Sequence, residues 1–402
     1  MTNMERSAPL WTRGMVAVLL AQFLSAMADN ALLFAALALL RSEHYSDWVT
    51  PVLQEFFVVA FIILAPFVGP VADALPKGRV MLISNGLKFV GSLAMVLGLN
   101  PFIAYGLVGV GAAAYSPAKY GILSELTGPE HLVKANGLIE SSTIAAILVG
   151  VIAGGFLADW SISGALIVVT GSYLLAAVAN LFIPRLAPAH PLERFSVAAV
   201  LKEFGQAIKA LVRNPDVRFS MTGTSLFWGT GTTLRLVLIA WVPMALGNMS
   251  NSLPANLNGV TAIGIVVGAA LAGKFISLER ADRALPAGVL IGLAVCMLAG
   301  TTSLPVAVVV MVIVGACGGF FVVPLNALVQ SRGHATVGAG LSVAVQNLAE
   351  YSSMLVMIGL YSLAVRAGMS ITTLVGVFGG VLAVAMGALW GYRWRRAVVA
   401  AA

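Results

Sequence analysis

The chain has 402 residues, of which 59% are hydrophobic and only 10% charged, with a formal charge of +7 and a mean hydropathy of +0.97. A soluble domain carries roughly 25% charged residues, so a soluble globule is excluded, and the apolar runs leave no aqueous lobe large enough for catalysis. The basic residues are dispersed through short loops instead of gathered on one module, which argues against a nucleic-acid partner.

Apolar runs of about 20 residues, the length of helix that crosses a hydrocarbon core, recur along the whole chain. In the first half they cover 15–40, 51–72, 80–99, 102–123, 135–158 and 164–183. Arg6 and Arg13 ahead of the first run, with Ala36-Leu37-Ala38 inside it, imitate a secretory signal, but the run is too long and reads as an uncleaved span. The longest polar connection, 184–215, follows. Within it Val197, Val200, Leu201, Phe204, Ile208, Leu211 and Val212 recur at helical spacing with Lys202, Lys209 and Arg213 among them. That is the pattern of a helix lying on an anionic inner leaflet, although a solvated linker helix would share it. The second half repeats the count with 219–246, 257–277, 285–302, 305–328, 338–364 and 371–390. The expected architecture is an all-α membrane protein with twelve transmembrane helices: a six-helix bundle over 1–183, a linker over 184–215 and a second bundle over 216–402.

Nearly all Lys and Arg residues outside the spans fall in loops on one side, among them Arg6, Arg13, Lys77, Arg79, Arg185, Lys202 and Arg332. Only Arg41 and Arg366 fall on the other. The bias places both termini in the cytoplasm. The halves also align with a shift of about 203 to 207 positions, as parallel six-helix repeats would. Pro117 then lies on Pro324, Lys119 on Asn326, Asp73 on Glu279 and Asp29 on Arg235.

A charged group at a helix centre costs about 2.5 to 3.5 kcal/mol on a lenient insertion scale. Asp29, Lys119, Glu140, Arg235 and Glu350 all sit within spans, so they must be paired or border a wet cavity. Gln22, Ser25 and Asp29 share one helical face; Trp228, Thr232 and Arg235 another; Ser342, Gln346, Glu350 and Ser353 a third. Asn30, Asn326 and Gln330 add further polar positions, whereas spans six, nine and twelve offer little. Hydroxyl residues in such stripes serve equally well as interhelical glue. Lys88 lies nine residues past Arg79, about 13 Å along a helix, and is expected to snorkel to the inner surface. Gly150 to Gly154 and Gly264 to Gly268 match close helix packing.

Other chemistry is missing. Cys296 and Cys317 lie in apolar runs, and His44, His131, His190 and His334 form no metal or triad pattern. No phosphate-cradling, nucleophile-elbow or dinucleotide motif occurs, and none of the histidines has an aspartate five residues on, as a glycerolipid acyltransferase would. No metal or cofactor is implied. Movement of a solute is what remains.

Gly69-x-x-x-Asp73 followed by Lys77-Gly78-Arg79 resembles the loop motif of the major facilitator superfamily, with two extra residues before the glycine and arginine. The segments Gln22 to Phe34, Ala114 to Ile122, Gly223 to Trp228 and Gly319 to Leu328 are similar to the bacterial lysophospholipid transporters of that superfamily. The resemblance implies a monomeric flippase of the bacterial inner membrane. It would carry lysophosphatidylethanolamine and related lysophospholipids from outer to inner leaflet, where a cytoplasmic acyltransferase/acyl-carrier-protein synthetase reacylates them. It further implies no coupling to protons or sodium. Span four lacks the arginine of proton-coupled exporters, and Gly150 to Gly155 lacks the proline of their antiporter motif. Asp29, Asn30, Lys119, Arg235, Asn326, Gln346 and Glu350 are the expected headgroup residues, with Asp29 and Arg235 paired across one cavity. Asp73, Lys77, Arg79, Glu140 and Glu279 are expected to govern the conformational change. A proton-coupled exporter and a membrane-embedded lysolipid acyltransferase are the competing readings.

Overall fold

The computed structural model describes residues 11–127, 132–186, 196–276 and 278–401. Its first helices are α1 (Arg13–Ser42), α2 (Val52–Ala74), α3 (Lys77–Val96), α4 (Pro101–Leu126), α5 (Leu132–Trp160) and α6 (Ile162–Leu181). The linker helix α7 (Val197–Arg213) follows. The chain continues with α8 (Pro215–Leu246), α9 (Ser252–Phe275), α10 (Leu285–Ala299), α11 (Leu304–Val337), α12 (Ala339–Arg366) and α13 (Ile371–Ala401). Apart from α7, each helix corresponds to one expected span. Among the described residues, 11 helices are long and apolar enough to cross a membrane. The spanning element outside that set is α4, whose 26 residues suffice in length but include Tyr105, Tyr115, Ser116, Pro117 and Lys119.

Local chemistry sets the helix ends. Asn100 accepts from the backbone N–H groups of Phe102 and Ile103, with Pro101 at the first helical position of α4. Asn214 and Pro215 repeat the device on α8, and Ser161 caps α6 through the Gly164 N–H. These side chains satisfy N–H groups that have no partner within the helix. Gly247 ends α8 in the left-handed region at φ 63°, and Gly338 at φ 86° is the single residue between α11 and α12.

The chain divides into two compact units, 1–39 with 59–200 and 40–58 with 201–402. Both α1 and α2 therefore change unit partway along their length. In the first unit α3 packs on α4 and α6. Gly91 admits the Ala104 carbonyl, and Gly150 and Gly154 of α5 lie on the α1 backbone at Met27 and Ala31. Met15, Val18, Met81, Tyr115, Ile122 and Ile139 form a closed apolar cluster at one end. In the second unit α10 packs on α11 and α13 as α3 does on α4 and α6, and α9 lies along α11. Gly264 and Gly268 meet the backbone of Val312 to Ala316, while Gly315 and Gly319 meet that of Thr261 and Ile265. In lipid, where burial supplies no hydrophobic drive between helices, such backbone contact is what holds them together.

On α7 only Phe204, Ala207 and Leu211 are buried; Val197, Leu201 and Val212 remain exposed beside them, and Lys202, Lys209 and Arg213 are exposed as well. The apolar spacing seen in the sequence is thus two adjacent stripes, one of which packs on protein.

Candidate functional site

In the first unit, helices α1, α3, α4 and α6 enclose an ionic network. Lys88 Nζ donates to Asp29 Oδ2 at 2.7 Å and to Ser25 Oγ at 2.9 Å. The Tyr173 hydroxyl donates to the other carboxylate oxygen at 2.8 Å. Ser25 in turn donates to Asn85 Oδ1 and Asn85 to Asn180 Oδ1, each at 2.7 Å, while Ser92 and Thr170 pair at 2.7 Å. The rings of Tyr115 and Tyr173 lie 5.2 and 5.8 Å from the ammonium. Gly111 makes room for the lysine: a Cβ there would come within 2.8 Å of Lys88 Cγ.

Lys88 does not snorkel. Its side chain is 2% exposed, against 22% for that of Asp29. Counting residues from Arg79 measured its depth along the helix but not the face it occupies. Inside its own unit Asp29 has a counter-ion in the Lys88 ammonium, a partner the sequence reading did not give it. The span-six residues Thr170, Tyr173 and Asn180, passed over in the sequence, supply much of the network. Asn85, Lys88 and Ser92 stand at i, i+3 and i+7, a polar stripe that the spacing argument could have found.

An ion pair removed from water is costly, and only close geometry with further hydrogen bonds offsets that cost. Both conditions hold here: each carboxylate oxygen has a donor, and the ammonium has a hydroxyl besides its counter-ion. What results is an ion pair with the lysine sealed from solvent and the carboxylate partly exposed.

Of the other residues singled out in this unit, Asn30 donates to the Ala26 carbonyl of its own helix at 2.9 Å. Lys119 is 8% exposed, with its ammonium 4.4 Å from the Tyr120 ring centroid. Lys77 is buried and ion-paired with Glu125, its stem crossing α4 at Gly121. Arg79 is exposed. The side chains of Asp73, Glu140, Glu279 and Gln330 lie outside the described residues.

The second unit brings three expected residues together. Gln346 Nε2 on α12 donates to Asn326 Oδ1 on α11 and to Glu350 Oε1, both at 2.8 Å. Thr224 of α8, not anticipated, lies beside Glu350. Arg235 is half-buried on α8, and Trp228 stands 41% exposed against Phe227. Beside this network a groove of about 350 Å³ runs between α8 and α12, lined by Arg218, Met221, Ser225, Leu226, Ala349 and Ser353. It has mostly apolar walls with one cation. Each unit thus carries a buried polar network holding an acid, supported from neighbouring helices.

The sequence profile described as Major Facilitator Superfamily matches residues 18–350. The chain is 53% identical to the lysophospholipid transporter LplT of Citrobacter koseri over 98% of this chain and 99% of that protein. It is 56% identical to the lysophospholipid transporter LplT of Serratia proteamaculans over 96% and 98%. A solved POT family transporter in complex with 5-aminolevulinic acid superposes with a TM-score of 0.77 at 13% identity, covering 94% of this chain and 96% of its own. The nucleoside transporter NupG does so with a TM-score of 0.74, also at 13% identity, over 94% and 98%. At that identity the solved structures bear on fold alone.

Proposed function

The chain belongs to the major facilitator superfamily, among the lysophospholipid transporters, and from that membership we propose that it moves lysophosphatidylethanolamine and related lysophospholipids from the outer to the inner leaflet by alternating access. The observation that carries this reading is identity of 53–56% over nearly the whole chain with transporters of that name. The chain is then a multi-pass protein of the bacterial inner membrane with cytoplasmic termini. It acts as a monomer and carries out no bond chemistry itself. A cytoplasmic acyltransferase/acyl-carrier-protein synthetase reacylates what it delivers.

The headgroup chemistry agrees with the polar residues. An ethanolamine ammonium needs an acceptor, and the partly exposed Asp29 carboxylate, oriented by Lys88 and Tyr173, offers one; Glu350 offers a second acid. A phosphate needs donors, for which the Arg235 guanidinium and the Lys119 ammonium are suited. Asn326 and Gln346 orient Glu350. Lys77, Arg79, Asp73, Glu140 and Glu279 are assigned to the conformational change; the buried Lys77–Glu125 pair is of the kind that breaks and reforms between states.

Uptake of lysophosphatidylethanolamine by spheroplasts tests the assignment. Asp29→Asn and Arg235→Gln should each lower it by roughly one to two orders of magnitude, the scale of a lost charge-assisted contact. Normal uptake by both variants would remove these residues from the site. An uncoupler should leave uptake unchanged; loss on its addition would instead favour the proton-coupled exporter.

A further inference from the structure

Three arginines and one carboxylate meet at the start of α8. Asp216, in the first turn, accepts from Arg393 of α13 at 2.6 Å and lies 4.0 Å from the Arg332 guanidinium of α11. Arg393 also stands 5.0 Å from the centre of the Phe219 ring. Arg218 is exposed and donates to the Tyr392 hydroxyl at 2.8 Å, and among the described residues no carboxylate forms an ion pair with it. This uncompensated guanidinium lines the groove between α8 and α12, at the end nearest the start of α8. Thr222, one turn on, lines it too, its hydroxyl turned back to the Arg218 carbonyl at 2.8 Å. Met221, Leu226 and Ala349 supply apolar wall, and Val212 of the linker helix adds to it. From Arg218 to Leu226 the groove follows α8 for about 12 Å, most of the roughly 15 Å that one leaflet contributes to the hydrocarbon core.

From this arrangement we propose that the groove seats one acyl chain of an anionic inner-leaflet phospholipid, phosphatidylglycerol, with its phosphate on Arg218. This is a resident lipid, separate from the lysophospholipid that is moved. The inference rests on the orientation of the transport reading, in which α8 begins on the cytoplasmic side. Charge then lies at headgroup level and apolar wall toward the bilayer centre, the order of groups in an inner-leaflet lipid, and basic pockets between helices on that side suit lipid phosphates. The Tyr392 hydroxyl occupies only part of the guanidinium's donor fork, so a phosphate can take the rest. Charge selects among headgroups. A zwitterionic one brings an ammonium that needs an acceptor, and the Asp216 carboxylate already serves two arginines. The excess positive charge therefore favours a lipid of net negative charge. Because Val212 forms part of the wall, a chain in the groove packs the linker helix against α8 and α12 and stiffens the second unit.

The test uses the purified full chain in detergent, stripped of lipid and titrated with dioleoylphosphatidylglycerol. Melting temperature and the lipid retained in native mass spectrometry are the readouts. One phosphatidylglycerol per chain should be retained and should raise the melting temperature, whereas dioleoylphosphatidylethanolamine and inorganic phosphate should each act roughly tenfold more weakly. Arg218→Gln should weaken the affinity for phosphatidylglycerol about tenfold, the scale of one charge-assisted contact. Ser225→Phe, which fills the groove, should do the same with the arginine in place. Tyr392→Phe, which removes the hydrogen bond to Arg218 but no charge, should bind as the parent does. Arg218 is exposed, so its variant decides the matter even where Ser225→Phe disturbs the packing. Parental affinity in Arg218→Gln overturns the proposal, as does equal retention of phosphatidylethanolamine or an equal effect of inorganic phosphate. Displacement of phosphatidylglycerol by an equal concentration of lysophosphatidylethanolamine also overturns it, making the groove a station of the cargo. Binding is read without transport, so a parent that moves no lysolipid in spheroplasts defeats the transport reading alone.

Discussion

At Lys88 an ammonium is almost wholly withdrawn from solvent yet held by a carboxylate, a hydroxyl and two aromatic rings. The arrangement is expensive to break and cheap to replace. Lys88→Met strands the Asp29 charge and should destabilise the protein by about 3–5 kcal/mol, the range for removing one member of a buried pair. Adding Asp29→Leu should recover much of that loss while uptake stays abolished in both variants. Thermal unfolding in detergent beside spheroplast uptake checks this. A double variant as unstable as the single one would mean that the pair is not the source of the effect. The pairing was not legible from spacing, because partners on separate helices meet according to how each helix is rotated. Stripes along one helix, such as Ser25 with Asp29 or Gln346 with Glu350, were legible because helical periodicity alone puts them together.

Between elements the decisive residues have no side chain. Gly268 and Gly319 bring the backbones of α9 and α11 together, and a Cβ at either would collide with a carbonyl of the other helix. Gly268→Leu should therefore cost at least the 1–3 kcal/mol typical of overpacking. Gly273→Leu, where nothing lies within 4 Å, should cost little. Detergent melting temperatures separate the two, and equal losses would show that intrinsic helix effects outweigh packing. The linker helix makes a similar point about sequence patterns. Its periodicity announced an amphipathic helix, but could not divide the apolar residues between the stripe buried on protein, Phe204 with Ala207 and Leu211, and the exposed stripe of Val197, Leu201 and Val212. Only the packed neighbours decide that.

For the molecule as a whole, the order and number of spanning helices were readable because bilayer thickness and the need to satisfy every backbone group leave few alternatives. The repeat was readable too, and it recurs in the way α3 and α10 pack on their neighbours. How the chain is apportioned between bodies was not, since hydropathy is blind to which unit a helix end joins. A chain cut within 187–195 and expressed as two co-resident fragments should regain uptake, while the fragment from 196 onward alone should be more protease-sensitive than the same fragment beside its mate. Equal sensitivity would show that residues 40–58 add nothing to it.

The inlay of residues 40–58 also has a bearing on biogenesis. The first hairpin leaves the ribosome long before α8 and α12 exist, so Arg41 waits unmatched for the α8–α9 segment, and Trp48 for α12 in the last third of the polypeptide. Maturation of this transporter therefore closes on its earliest segment: nascent chains stalled before Arg366 should hold the hairpin tip open to the outside, and completion should bury it.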